Sequence, residues 1–577
     1  MCLCFRRVAL RDAGPEPGRF RYIRVPKNLR AQDVKRLYAG LRVRGHRLKT
    51  VEDWLGYIDH WDEIKAYFKS ERSRRYFAAS QDTRDTHAAR RQTWFCEIVT
   101  PLTTRFDAQV RRRVLHSPLQ SELAARVGTQ LFAVWEANDL ADHPLNIPEV
   151  TRIDELFYEY DFARSQSEFD FAGTRIGHIQ VQNMLLHPNE TTRQLAFELR
   201  ARWLTEQREK LDDIYDQMVG LRHAMARKLD LPNYIPLGYA TLQRLDYGPR
   251  QVALFRKEIQ KHVVPLLARL RAKQAKELGA SSVKPWNRSF FPDVALPPDM
   301  VPVETQMEKL QSVFSRLHPT LGAHFKRLHA ENLVDIENRP GKSPELFCED
   351  FPDENLARLF CNSTGMAENV LDLTHECGHA FQSLESFSIP HVELQNPSYE
   401  ACEIPSVSME FMTLDHLNVF FNQADAEKFR RDRLMQAITG LAYGCVVDEF
   451  QHHVYEHPKW TPDKRAEAWV QVWKKYLVGE DWTHYENTQA HWWQYQGHIY
   501  GNPFYYIDYA MAEICALQLW LIQRKNPARA MKIYLQLCRL GGTKPFLELL
   551  NTVGLQSPFK PGVLAKLMRV LQKELDL

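Results

Sequence analysis

Residues Leu373–Gln382 read LTHECGHAFQ. Residues four apart on an α-helix stand one above the other, so His375 and His379 share a face with imidazoles close enough to hold one ion. Glu376 lies one residue round the helix, beside such an ion rather than on it, and within reach of a water whose proton it could accept. This H-E-x-x-H order is the one that zinc hydrolases use. The plainer account is a half-buried helix whose histidines are satisfied by neighbours. The flanks favour the metal: Val370, Leu371, Leu373, Cys377, Ala380, Phe381 and Leu384 make the helix apolar almost all round. Unpaired polar groups in such a core cost about 2–7 kcal/mol each, and a divalent cation would satisfy all three. Cys377, between the histidines, points away from their face and reads as a core residue.

Catalytic zinc usually takes three protein ligands and leaves a fourth position to water. Downstream, Ser398–Leu417 (SYEACEIPSVSMEFMTLDHL) offers Glu400, Glu403 and Glu410 as candidates for the third. Glu403 and Glu410 are two helical turns apart, so on one helix one could ligate while the other orients a ligating histidine. Pro405 suits a first helical turn and would kink the helix further in. The competing account of either glutamate is a solvated helix face.

Further out, helical periodicity dominates. Leu211, Ile214, Tyr215, Met218, Leu221 and Met225 recur at three- and four-residue spacing, and similar stripes run through Gln251–Leu270, Ala424–His453 and Ala528–Leu540. Strand signals are confined to Glu345–Phe347 and Leu356–Cys361, bounded by Pro, Gly and Asn. The chain therefore reads as all-α, mainly helical, with a small β-sheet near the metal helix whose edge could take an extended peptide. Ser282–Glu304 carries five prolines and reads as an irregular excursion between helices. A length of 577 residues exceeds what one core supports, so two lobes are expected. The division expected is a leader at 1–18, an N-terminal helical region at 19–200 and a region carrying the H-E-x-x-H motif at 201–577.

Charge is nearly balanced, 75 basic against 72 acidic residues, which gives no general attraction for nucleic acid. Arg111, Arg112 and Arg113 read as a solvated helix face. Ten cysteines without a C-x-x-C pair suit free thiols in a reducing cytoplasm. The N-terminus has arginines after its few apolar residues and lacks a signal-peptide core, and no stretch has the length of about 20 apolar residues that a membrane span needs. In DEFQHHVYEHP, Glu449 and His452 have the spacing of a di-iron helix, but no second copy exists and packing or surface histidines explain them better.

Three stretches, LTHECGHAFQ, EACEIPSVSMEFMT (Glu400–Thr413) and QGHIYGNPFYYIDYAMAEICALQLW (Gln496–Trp520), together resemble the thimet oligopeptidase and oligoendopeptidase F family, above all its oligoendopeptidase F branch. Weaker likeness extends over residues 19–577. The resemblance implies one zinc per chain on His375, His379 and Glu403, with Glu376 as general base and Glu410 behind the ligands. It also implies that His498, Tyr506 and Tyr509 bind substrate or the transition-state oxyanion, inside a channel between two lobes. Two departures stand out. Gly341–Thr364 lacks the family's glycine- and tyrosine-rich character, and the segment between Asn362 and His375 differs in wording and length. The tyrosines make sense on physical grounds too, since Tyr506 and Tyr509 are three apart and a phenol donates a hydrogen bond without carrying charge. Helical aromatics are more often core. The expected activity is cleavage of internal bonds in short unstructured peptides of about 5–20 residues, the length a domain-sized channel holds in extended form. The rivals are a helical zinc carboxypeptidase and a catalytically silent peptide-binding protein on the same fold.

Overall fold

The apolar stripes become long helices in the computed structural model, which describes residues 20–577 except 166, 172, 298 and 299. The expected leader, 1–18, and Cys2 and Cys4 within it, lie outside the described residues. The three longest helices are Val51–Gln81, Glu190–Lys228 and Gln423–Glu456, and Pro527–Leu540 covers another expected stripe. Gln251–Leu270 is a correction: it forms two helices, Pro249–His262 and Val264–Glu277. Pro265 has no N–H to donate and stands in the first turn of the second helix, where that loss costs nothing. Among its described residues the proline-rich excursion holds a single 3₁₀ turn, Pro285–Asn287, before a helix starts at Val303. Arg111 is a second correction. It is buried, donating to the Asn138 carbonyl at 2.7 Å and to Asp142 at 3.2 Å, so only Arg113 of that run is exposed.

Strands are few and short. A hairpin, β1 (Glu168–Phe171) with β2 (Thr174–Gly177), stands apart from a three-stranded sheet of β3 (Val334–Glu337), β4 (Phe347–Phe351) and β5 (Leu356–Ser363). The order is β3-β5-β4, with β3 parallel and β4 antiparallel to β5, so β4 is an open edge. Strand β4 begins where the expected strand ended, because register is set by pairing rather than by local propensity. Phe347 faces Phe360 across the ladder, and their rings stack at 4.6 Å. The motif helix, Asn369–Ser386, packs on β5 and β4.

Two hydrophobic cores form. One joins helices between Ile23 and Trp135, and the other runs from Leu156 to Leu575. The continuous helix Glu190–Lys228 passes through residue 200. Ile389 and Leu394, in the link that follows the motif helix, are buried in the first core although the helices on either side of them belong to the second. Polar contacts reinforce that anchor: His391 Nδ1 meets Asp62 at 2.5 Å, and Lys65 bridges Asp62 and Glu393. The described cysteines are free thiols, Cys377 among the buried ones. Among the described residues, no helix is long and apolar enough to cross a membrane.

Candidate active site

Three helices build the site: the motif helix, the glutamate helix Tyr399–Thr413 and the tyrosine helix Tyr506–Gln523. The first two come into backbone contact at Gly378. A Cβ there would stand 2.5 Å from the Pro405 carbonyl oxygen and 2.5 Å from Ser406 Cα, so only glycine permits the approach. Pro405 lies inside the helix rather than in its first turn, which leaves the Ala401 carbonyl without its usual i+4 donor.

This contact carries Glu403 to the histidines. Its Oε2 lies 3.4 Å from His375 Nε2 and 3.5 Å from His379 Nε2, and the three donor atoms all fall within 4.8 Å of one another. Among the described residues, no other three His, Cys, Asp or Glu side chains converge in this way. Ser406 Oγ donates to Glu403 Oε2 at 2.9 Å, and the Tyr505 hydroxyl donates to Oε1. Behind the cluster, His375 Nδ1 donates to Glu410 Oε1 at 2.7 Å. Arg433 donates from Nε to Glu410 at 2.7 Å and from its terminal nitrogens to Glu513 at 2.9 and 2.8 Å. His375 Nδ1 is thus committed, and Nε2 is left facing Glu403. The three candidate glutamates separate cleanly. Glu400 lies elsewhere, fully buried beside Arg244 and Tyr247, where burial pushes its carboxyl up to about 7.

The electrostatics suit a cation. Burial would depress both imidazoles, and it takes His379 down to about 4, whereas bonds to Glu403 and Glu410 override it and hold His375 well above its ordinary value. Burial would likewise raise Glu403, yet His379, His375 and Tyr505 bring it down to about 2. Two carboxylates around one histidine therefore hold a proton on the face where a dication would sit. Glu376 is the opposite case: burial pushes it up to about 8, and its Oε2 has no hydrogen-bond partner. Two imidazole nitrogens, one carboxylate oxygen, a carboxylate behind the first histidine and an orphaned carboxylate alongside form a donor set that fits zinc with an open position. The imidazoles remain about one-fifth exposed, so the set faces an opening.

Opposite stands a neutral wall. Tyr443 donates to Gln496 Oε1 at 3.0 Å, which orients that amide so that its Nε2 donates to His498 Nδ1 at 2.9 Å. The His498 proton consequently resides on Nε2, 3.4 Å from the Tyr509 hydroxyl. Burial takes His498 down to about 4, so it is neutral near pH 7, and burial with Glu403 nearby raises Tyr509 well above its ordinary value. Tyr506 packs edge-on against Tyr443, His498 and Tyr509, with ring centroids at 5.4, 5.1 and 5.5 Å.

Tyr505 is the functional candidate that sequence reasoning missed. It precedes the tyrosine helix, outside the three-residue spacing that singled out its neighbours. Phe504 before it has φ 68°, a left-handed turn held by Gln451 Oε1 on its N–H at 3.1 Å and by Arg244 on its carbonyl at 2.7 Å. The doublet Tyr505-Tyr506 was the available signal.

The fold has solved relatives. A structure of Pz peptidase A with an inhibitor matches with a TM-score of 0.91 and 33% identity, covering 96% of this chain and 98% of that one. A protein described as an oligoendopeptidase F from Bacillus anthracis matches with a TM-score of 0.86 and 31% identity over 95% of this chain and 96% of its own. The oligoendopeptidase F of Enterococcus faecium, 14% identical with a TM-score of 0.64, shares the fold. Curated protein sequences give no match. Residues 27–139 match the peptidase M3 N-terminal domain, and with residues 183–569 matching peptidase family M3 itself, the chain belongs to that family and is a peptidase.

Proposed function

We propose that the chain is a zinc-dependent endopeptidase that cuts internal bonds of short, unstructured peptides. The observation that carries this reading is the convergence of His375, His379 and Glu403 beside the unpartnered Oε2 of Glu376. Zinc, one per chain on those three residues, would supply the Lewis acidity that polarises a scissile carbonyl and acidifies water. Glu376 takes the proton from the attacking water at its free oxygen and returns it to the leaving amine nitrogen. The His498 Nε2–H and the Tyr509 hydroxyl donate to the carbonyl oxygen as it gains negative charge, with Tyr506 bracing both rings. Glu410 fixes the His375 tautomer from behind, and Tyr505 orients Glu403. The open edge of β4 would pair with an extended substrate backbone in a channel between the lobes, which admits peptides of about 5–20 residues and excludes folded proteins. The free thiols among the described residues suit a cytoplasmic setting.

The test is a peptide-cleavage map by mass spectrometry, with and without chelator, on peptides with free and blocked C-termini. Internal cleavage that survives blocking, stops on chelation and returns with zinc is expected. Glu376→Gln should keep its metal and lose about 100- to 10,000-fold in turnover. Unchanged turnover in that variant would reject the assigned base, and cleavage only at free C-termini would favour the carboxypeptidase.

A further inference from the structure

Three arginines from distant parts of the chain meet beside the neutral wall. Arg164 ends the helix Ile147–Ser165, Arg200 lies on Glu190–Lys228, and Arg288 follows the 3₁₀ turn inside the proline-rich excursion. Aromatic faces hold them. Arg200 Cζ lies 4.4 Å from the Tyr495 ring and 5.1 Å from that of Trp492; Arg288 Cζ lies 5.9 Å from Trp492, 5.2 Å from Trp473 and 5.9 Å from Tyr443. Arg164 stands 5.5 Å from the Tyr160 ring, and its Nη1 is 3.1 Å from where a Cβ on Gly497, the residue before His498, would be. Tyr443 touches both Arg288 and Tyr506, so the group borders the wall directly.

Against burial, Tyr160, Asp161 and Glu345 hold Arg164 above its usual value, but the other two arginines have no such partner carboxylate. Among the described residues, neither Arg200 nor Arg288 makes an ion pair, and Arg164 has only Asp161 at 4.0 Å, a half-exposed carboxylate. Arg164 Nε, Arg200 Nε and Arg288 Nη1 are buried without a hydrogen-bond partner. Other buried arginines are either paired, Arg244 with Asp508, Arg271 with Glu480 and Arg433 with Glu410 and Glu513, or, as with Arg193 and Arg222, bonded to amide, carbonyl and hydroxyl oxygens. Burial and the neighbouring charges of Arg288 and Arg164 also lower Arg200 from its usual value. Aromatic faces stabilise a guanidinium but leave its N–H groups unsatisfied. Carboxylate oxygens satisfy them in the geometry a guanidinium prefers.

We propose that Arg164, Arg200 and Arg288 form a carboxylate-binding site that anchors the C-terminal carboxylate of the peptide substrate. The site rests on the peptidase reading for the identity of its ligand. Every unblocked peptide carries this group and an internal stretch of a folded protein does not, so the site selects short chains and sets how far from the C-terminus they are cut.

The experiment compares three heptapeptides of one sequence: free acid, C-terminal amide, and free acid with an interior Glu replaced by Gln. Hydrogen bonds to charged groups contribute about 1.5–3 kcal/mol, so the amide should raise KM about 10- to 100-fold with kcat unchanged. Arg288→Gln and Arg200→Gln should each shrink the acid–amide difference, and raised salt should do the same. Binding of fluorescent acid and amide peptides to Glu376→Gln, read by anisotropy, needs no turnover and separates this site from the assignment of the base. Tighter binding of the acid there upholds the anchor even if cleavage fails. Equal affinity for acid and amide overturns it, and a difference carried only by the interior Glu moves the recognised carboxylate from the chain end to a side chain.

Discussion

The two walls of the site are prepared for different charges. On the metal side, Glu410, Arg433 and Glu513 form a hydrogen-bonded chain of alternating charge behind His375 and Glu403 faces its Nε2 from the front, so that wall holds permanent charge in place. On the other side, His498, Tyr506 and Tyr509 are kept neutral by burial, His498 through a depressed value and the tyrosines through raised ones. A wall meant for a resident cation needs fixed anions. A wall meant for an oxyanion that exists only during reaction needs neutral donors, which cost little in the ground state and gain most when charge develops.

That contrast can be broken from either side. The largest effect is expected from His379→Ala or Glu403→Ala, which should lose bound zinc and all measurable turnover together, as read by metal analysis of purified protein. Full zinc occupancy in Glu403→Ala would remove it from the ligand set. Tyr509→Phe should lower kcat by about 100-fold or more while KM holds, because a bond made mainly to the oxyanion belongs to the transition state. A rise in KM at constant kcat would instead make Tyr509 a ground-state contact. Arg433→Met removes the far end of the charged chain and should weaken zinc binding by about 10- to 100-fold, with activity recovered at excess zinc.

The smallest effect concerns pH. The folded state holds His498 near 4, below its unfolded value of about 6.5, so the unfolded chain takes up a proton first as pH falls. Stability from this group is fully present above about 6.5 and is lost progressively down to about 4. Urea unfolding at pH 7 and pH 5 should show a smaller pH-dependent loss in His498→Gln than in the parent. His60 and His379, also near 4, keep that loss from vanishing.

Legibility followed sequence distance. The pair His375 and His379 needs only the helical repeat, and Glu403 with Glu410 needs only two further turns of a second helix. Tyr505 escaped because the repeat holds only inside a helix, and this residue lies at the cap, aimed by the turn at Phe504. Arg433 and Glu513 carry no local mark, since Arg433 meets Glu410 from 23 residues away and Glu513 across 80. Arg111 in its run of three looked solvated because composition cannot say which member of a charged run turns inward.

What the sequence determined alone was therefore the local and the periodic: a mainly helical chain, the H-E-x-x-H pentapeptide, the carboxylate pair, and the irregular path through Ser282–Glu304. Only the tertiary structure decided which glutamate meets the histidines, why Gly378 stands where two helix backbones touch, and that three arginines with buried, unsatisfied N–H groups gather among aromatic rings. The physical reason is range. Backbone geometry repeats over a few residues and leaves its period in the sequence, whereas burial and electrostatic pairing depend on which distant surfaces pack, and no single stretch records that.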